Sequence, residues 1–228
     1  MTDFFKFETV KEDIPFYNGE PKLSKPAWAI LILGLIVYFL IIRDIIYFED
    51  GFTFAIVSSL ALFIPFLLAF RGHYSRFFKR LHKRDIKPII VYTVLSLIYS
   101  ILVGLTLGLI GIKALGFDTI VHLLMMARLL IQLFGEELYK IIILIVLMAV
   151  FYRFSKDRKR TIIIASILTM IIFGACHEGD TGSLLKVILV QGFGSVFDLM
   201  LYFKTKNVWA SYVSHLLFDC LLELMMMV

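Results

Sequence analysis

Seven long apolar runs, separated by short clusters of charge, limit this chain to one kind of fold. They lie roughly at 27–48, 52–70, 88–112, 119–151, 161–177, 184–203 and 208–228. A bilayer core about 30 Å thick is crossed by about 20 apolar residues in a helix. In lipid, every backbone N–H and C=O must be satisfied within its own segment. The runs therefore predict an all-α, polytopic transmembrane helical bundle of about seven spans. The fourth run is too long for one simple span. An interfacial piece around 119–133 followed by a shorter crossing would explain it, which puts the count between six and eight. Composition agrees: 60% of the 228 residues are hydrophobic and 18% are charged, against about 45–50% and 25% in soluble domains.

Residues 1–26 contain Asp3, Glu8, Glu12, Asp13 and Glu20 and no apolar h-region, so a cleaved signal peptide is not expected. The expected organisation is a polar tail over 1–26 followed by a single transmembrane domain over 27–228, without internal repeats. Cys176 and Cys220 both fall inside apolar runs, where thiols behave as small hydrophobes.

The net charge of +5 would suit a nucleic-acid partner if it formed a face, but it does not. Arg71, Arg76, Lys79, Arg80, Lys83, Arg84 and Lys87 sit in one loop. Arg153, Lys156, Arg158, Lys159 and Arg160 sit in another, and Lys204 and Lys206 in a short turn. The alternate connections carry little positive charge, with Arg43, Lys113 and none over 178–183. This alternation follows the positive-inside rule for seven crossings. It predicts a multi-pass cell-membrane protein with a cytoplasmic N-terminus and no nucleic-acid partner.

Ionisable residues inside spans cost about 2.5–3.5 kcal/mol each on insertion scales, so they mark function or pairing. Three clusters stand out: Gln132 to Lys140 with Glu136-Glu137, Phe173 to His177, and His215 to Asp219. Residues four apart share a helix face, which sets Glu136 over Lys140, Phe173 over His177 and His215 over Asp219. Two acids and two imidazoles converging in a partly dry cavity can polarise a water and hydrolyse a peptide bond, directly or through a metal. The plainer alternatives are an intramembrane Glu136–Lys140 ion pair, an interfacial His177, and a helix-to-helix hydrogen bond at His215 and Asp219. Asp198 and Glu223 are further intramembrane acids outside any evident constellation, and Arg128 is a candidate partner for one of them or for Glu137. His73, His82 and His122 read as loop or interfacial residues. His177-Glu178 begins like a zinc-protease helix motif, but position 181 is Thr, so the second ligand histidine is missing.

The order of paired glutamates, Phe-x-x-x-His and His-x-x-x-Asp on successive spans resembles the CAAX-processing and bacteriocin-processing intramembrane endopeptidases. The resemblance covers about 119–228. It implies a helical intramembrane protease with catalytic residues Glu136, Glu137, His177, His215 and Asp219. Glu136 with His177 would activate the attacking water, Glu137 would support them, and His215 with Asp219 would stabilise the oxyanion or place the water. A divalent metal such as zinc at the Glu/His site remains open. The implied substrate is a small or membrane-associated peptide or protein, and the bilayer is the other implied partner.

Two positions depart from the family pattern. Glu-Glu-x-x-x-Arg would put Arg at 141, where this chain has Ile, with Lys140 as the nearest cation. Asp219 stands where prenyl-protein-processing relatives often have Asn, and an ionised Asp cannot donate to an oxyanion. Depth is a further tension. At about 1.5 Å per residue, Glu136 and His177 lie roughly 22–24 Å from the cytoplasmic ends of their spans and His215 about 10 Å. A tilt, or a break at Gly192 and Gly194, would close that gap. Two other functions fit less of the pattern: a bacteriocin self-immunity or accessory protein of the same family, and a small transporter using Glu136, Arg128 and Asp198. Transport would favour inverted repeats, which the sequence lacks.

Cysteines introduced into 71–87 or 152–160 are expected to resist an impermeant thiol reagent in intact cells, while one in 178–183 reacts. External labelling of 152–160 would reverse the orientation.

Overall fold

The computed structural model describes residues 14–43, 45–112, 123–177 and 183–226. Lys113, His122 and the loop 178–182 lie outside these residues. Seven long helices run through the described part: α1 Lys25–Ile42, α2 Gly51–Ala69, α3 Lys83–Leu109, α4 Leu123–Ser155, α5 Arg158–Ala175, α6 Leu184–Thr205 and α7 Val208–Met226. No strand occurs among the described residues, so the all-α expectation holds. Five of the helices, α1, α2, α3, α6 and α7, are long and apolar enough to cross a membrane. The other two carry charge within their length: Glu136, Glu137 and Lys140 in α4, and Arg158, Lys159 and Arg160 at the start of α5.

The over-long fourth run is one continuous helix of 33 residues, with no division near 133. It spans about 50 Å at 1.5 Å per residue, well beyond the hydrocarbon thickness. From Leu133 to Met148 its side chains are buried nearly all round, as befits a central helix. α2, α5 and α7 pack against it, and α1 does so more lightly.

Between helices in lipid there is little hydrophobic drive, so close packing of small residues sets the contacts. Gly135, just ahead of the glutamates, lies against Ser59 of α2, whose hydroxyl donates to the Ile131 carbonyl at 2.8 Å. Gly174 of α5 and Gly192 of α6 meet backbone to backbone. A Cβ on Gly174 would fall 2.9 Å from the Cα atoms of both Gly192 and Ile188.

Gly192 also closes an irregularity. Residues Ile188–Gly192 form a π-turn, a widened helical turn that leaves carbonyls short of partners and is often found near functional sites. Tyr99 of α3 donates to the Leu189 carbonyl at 2.7 Å, and Ser195 Oγ donates to the Gly192 carbonyl at 2.7 Å. The helix resumes at Val196, so α6 is broken in the glycine region that the depth argument singled out.

The other end of α6 is clamped. Asn207 follows the left-handed Lys206 (φ 50°). It accepts from the Lys79 N–H at 3.1 Å and donates to the Lys79 carbonyl at 3.0 Å, while Val208 N–H donates to Phe77 O at 2.8 Å. Trp209 then stacks on Phe134 of α4 at 5.5 Å, and Phe78 packs on both rings. The α6–α7 turn thus sits level with the first part of α4 and not with its C-terminal end. That seating brings His215 to the depth of the glutamates.

Residues ahead of α1 also join the core. Phe16 is buried among Phe70, Phe77 and His73, and Tyr17 packs edge-on to Tyr152. The basic α2–α3 loop is therefore in contact with this N-terminal stretch and with the α6–α7 turn, and Tyr17 links the stretch to the end of α4. The α2–α3 loop, the N-terminal stretch and the α6–α7 turn, three of the segments that the charge alternation groups together, are thus packed on one another.

Gly174→Val is expected to destabilise the fold by more than the about 1–3 kcal/mol usual for overpacking, because backbone and not a flexible side chain faces the new atoms. Thermal unfolding in detergent, compared with Gly108→Val, where the added atoms meet open space, measures the difference.

Candidate active site

α4 supplies the centre of the site because its period places Gln132, Glu136 and Lys140 in one row, with Glu137 beside them. All of the charged members are buried: Lys140 is 0% exposed, Glu137 1%, Glu136 6% and Asp198 of α6 6%. An ionised group in such surroundings is costly unless it is paired or hydrogen-bonded.

The pairing differs from the one expected from the i, i+4 spacing. Lys140 does not serve Glu136. Its Nζ contacts Glu137 Oε1 and lies 2.7 Å from Asp198 Oδ2. The same Glu137 oxygen accepts from His215 Nδ1 at 2.9 Å. One row of contacts therefore joins three helices: His215 of α7, Glu137 and Lys140 of α4, and Asp198 of α6. The Phe173 ring caps the ammonium at 4.9 Å, an additional cation–π contact. Asp198, which the sequence left without a constellation, is the residue that sequence reasoning missed. Its one signal was an unexplained carboxylate on an adjacent span. Arg128 lies against Gly51 at the head of α2, and no ion pair joins it to the site acids among the described residues.

Glu136 stands apart from this row. Its Oε1 accepts from Gln132 Nε2 at 3.0 Å, and among the described residues no cation is within ion-pair distance of it. His177 lies in the turn just past α5. Its Nδ1 meets the Phe173 carbonyl at 2.9 Å and its ring packs edge-on to Phe173 at 4.8 Å. A carbonyl only accepts, so Nδ1 carries the hydrogen and the neutral ring keeps its lone pair on Nε2. No hydrogen bond joins Glu136 to His177 among the described residues. A contact close to both in sequence links their elements, since Tyr139 OH lies 3.1 Å from Cys176 Sγ. Asp219 is half-buried one turn after His215, within electrostatic reach of His215 and Glu136.

The structure thus brings Glu137 and His215 into contact, sets Glu136 and Asp219 beside them, adds Lys140 and Asp198, and holds His177 on Phe173, whose ring also faces Lys140. Glu137, Asp198 and His215 each offer one ligand atom, and the three atoms lie within 4.8 Å of one another, a spacing that could hold a metal ion. Lys140 bears on that fit, because its ammonium contacts two of the three residues and already supplies positive charge there. The donor set suits a metal; the resident ammonium competes for its place.

Compared with known proteins, residues 118–221 match the family model described as type II CAAX prenyl endopeptidase Rce1-like. That match covers all three motifs on which the sequence resemblance rests. No curated protein and no solved structure matches the chain.

Titrated with cobalt(II) in detergent, Lys140→Met is expected to develop visible d–d absorption bands as the vacated trio binds the ion, whereas the wild-type protein shows none. Equal absorption in both would mean that Lys140 does not compete for the site.

Proposed function

We propose that this chain is a multi-pass intramembrane endopeptidase that hydrolyses a peptide bond of a membrane-associated substrate with a glutamate-activated water. The family match supports the CAAX-type endopeptidase class. The observation that carries the finer reading is the division of labour between the two glutamates. Glu137 Oε1 is engaged by an ammonium and an imidazole N–H, which makes this carboxylate the weaker proton acceptor of the two. Among the described residues Glu136, buried beside it, has a single neutral amide donor and no cation, which leaves it the better general base of the two.

In this reading, water lies between Glu136 and Nε2 of His177. As its oxygen attacks the scissile carbonyl carbon, its proton passes to Glu136. The carbonyl π electrons move onto oxygen, and His215 and Asp219 stabilise that oxyanion. With Nδ1 committed to Glu137, His215 donates to the oxyanion from Nε2 in its imidazolium form, and Asp219 donates only when protonated. The proton on Glu136 then goes to the departing nitrogen as the C–N bond breaks, leaving a carboxylic acid and an amine. A positioned general base contributes about 10²–10⁴-fold in rate. The substrate partner is a peptide or protein with an apolar anchor, since the site lies inside an apolar bundle. The basic loops support a cytoplasmic N-terminus.

Glu136→Gln is expected to lower the kcat of cleavage of a fluorogenic farnesylated CAAX peptide by at least about 10²-fold, with unfolding temperature unchanged. The amide keeps the shape but cannot take the proton. Glu137→Gln should lower it less. Full activity in Glu136→Gln would end the glutamate-base account. If instead the wild type cleaves no such peptide while the gene protects cells from a bacteriocin, a non-catalytic immunity role replaces it.

A further inference from the structure

Asp198 lies in no motif of the site, yet it makes one of the two acid contacts of a fully buried lysine. Lys140 is one helical turn from both glutamates, at i+4 from Glu136 and i+3 from Glu137, and either carboxylate lies within its reach. Something outside α4 must decide between them, because the row Gln132, Glu136, Lys140 would otherwise continue as a chain of i, i+4 contacts. The deciding contact comes from α6. Asp198 Oδ2 lies 2.7 Å from Lys140 Nζ, on the side where Glu137 Oε1 also meets it. Asp198 stands in the first turn after the break in α6, where the helix is held by α5 through Gly192 and by α3 through Tyr99.

We propose that Asp198 is a positioning residue that draws Lys140 onto Glu137 and away from Glu136. It thereby keeps Glu136 free of a cation and anchors the oxygen on which His215 is oriented. This inference rests on Glu136 being the base. An ammonium on Glu136 would neutralise the carboxylate that must receive the proton, while leaving substrate contacts untouched. The loss then falls on kcat and not on KM. It also follows that the harm in an Asp198 variant comes from the lysine it releases, so removing that lysine as well should relieve it.

The test is a cycle in the full-length protein, assayed on the farnesylated CAAX peptide. Asp198→Asn should lower kcat at least about tenfold, as is usual for residues coupled within one charged network, with KM changed less than about twofold. Asp198→Glu, which restores the charge, should recover part of that loss. In Asp198→Asn/Lys140→Met, with neither charge present, kcat should rise above that of Asp198→Asn alone. Buried ion pairs replaced together by neutral groups are commonly tolerated, so this variant also guards against a folding failure of the single one. A double variant as slow as Asp198→Asn, or slower, overturns the proposal, as does a loss confined to KM. A cryo-EM structure of Asp198→Asn gives a readout independent of cleavage. Lys140 Nζ found on Glu136 upholds the positioning claim even if the peptide is not a substrate, and Lys140 still on Glu137 refutes it.

Discussion

A lysine buried at 0% exposure in the middle of the central helix is the constraint around which this bundle is organised. An ammonium in an apolar interior is tolerated only when its charge is met at close range, and α4 by itself offers that only through its two glutamates. The fold brings a third acid from α6 and an aromatic face from α5 to the same point. Removing one partner of such a cluster leaves an uncompensated charge, at a cost of about 3–5 kcal/mol in other proteins. The position of α6 against α4 is therefore tied to electrostatics as much as to packing.

The helix that carries Asp198 is not regular. Just before Asp198, the π-turn at Ile188–Gly192 and the glycine contact with α5 interrupt the regular helix of α6. At the far end, Asn207 fixes the α6–α7 turn to the loop at Phe77–Lys79, and Trp209 on Phe134 sets the height of α7. Polar backbone groups freed by the irregular segments find partners in Tyr99 and Ser195, as lipid surroundings demand. These features explain how a histidine only seven residues into its helix meets a glutamate deep in another.

The chemistry that follows is asymmetric. Adjacent glutamates point about 100° apart on a helix, so one faces the lysine and histidine while the other faces Gln132. Their neighbours, not their sequence, distinguish the carboxylate held by Lys140 and His215 from the one that the proposed reaction uses as base. The cation at position 140, where the family pattern puts arginine at 141, remains within the network because Asp198 meets it there.

The sequence alone determined the all-helical membrane architecture, the alternation of basic and non-basic connections, and the three motifs that hold Glu136, Glu137, His177, His215 and Asp219. Hydropathy, charge spacing and helical period are local properties, and they are legible wherever about 20 apolar residues run together. The same local rule failed at Lys140. The i, i+4 spacing paired it with Glu136, and nothing within α4 shows that a carboxylate 58 residues later competes for it. Nor did the sequence place Asp198 in the site or join the long fourth run into one helix. Those outcomes were decided by the tertiary structure, because the partner of a buried charge is whichever opposite charge the packing brings within about 3–4 Å, and that distance is set between helices, not along one.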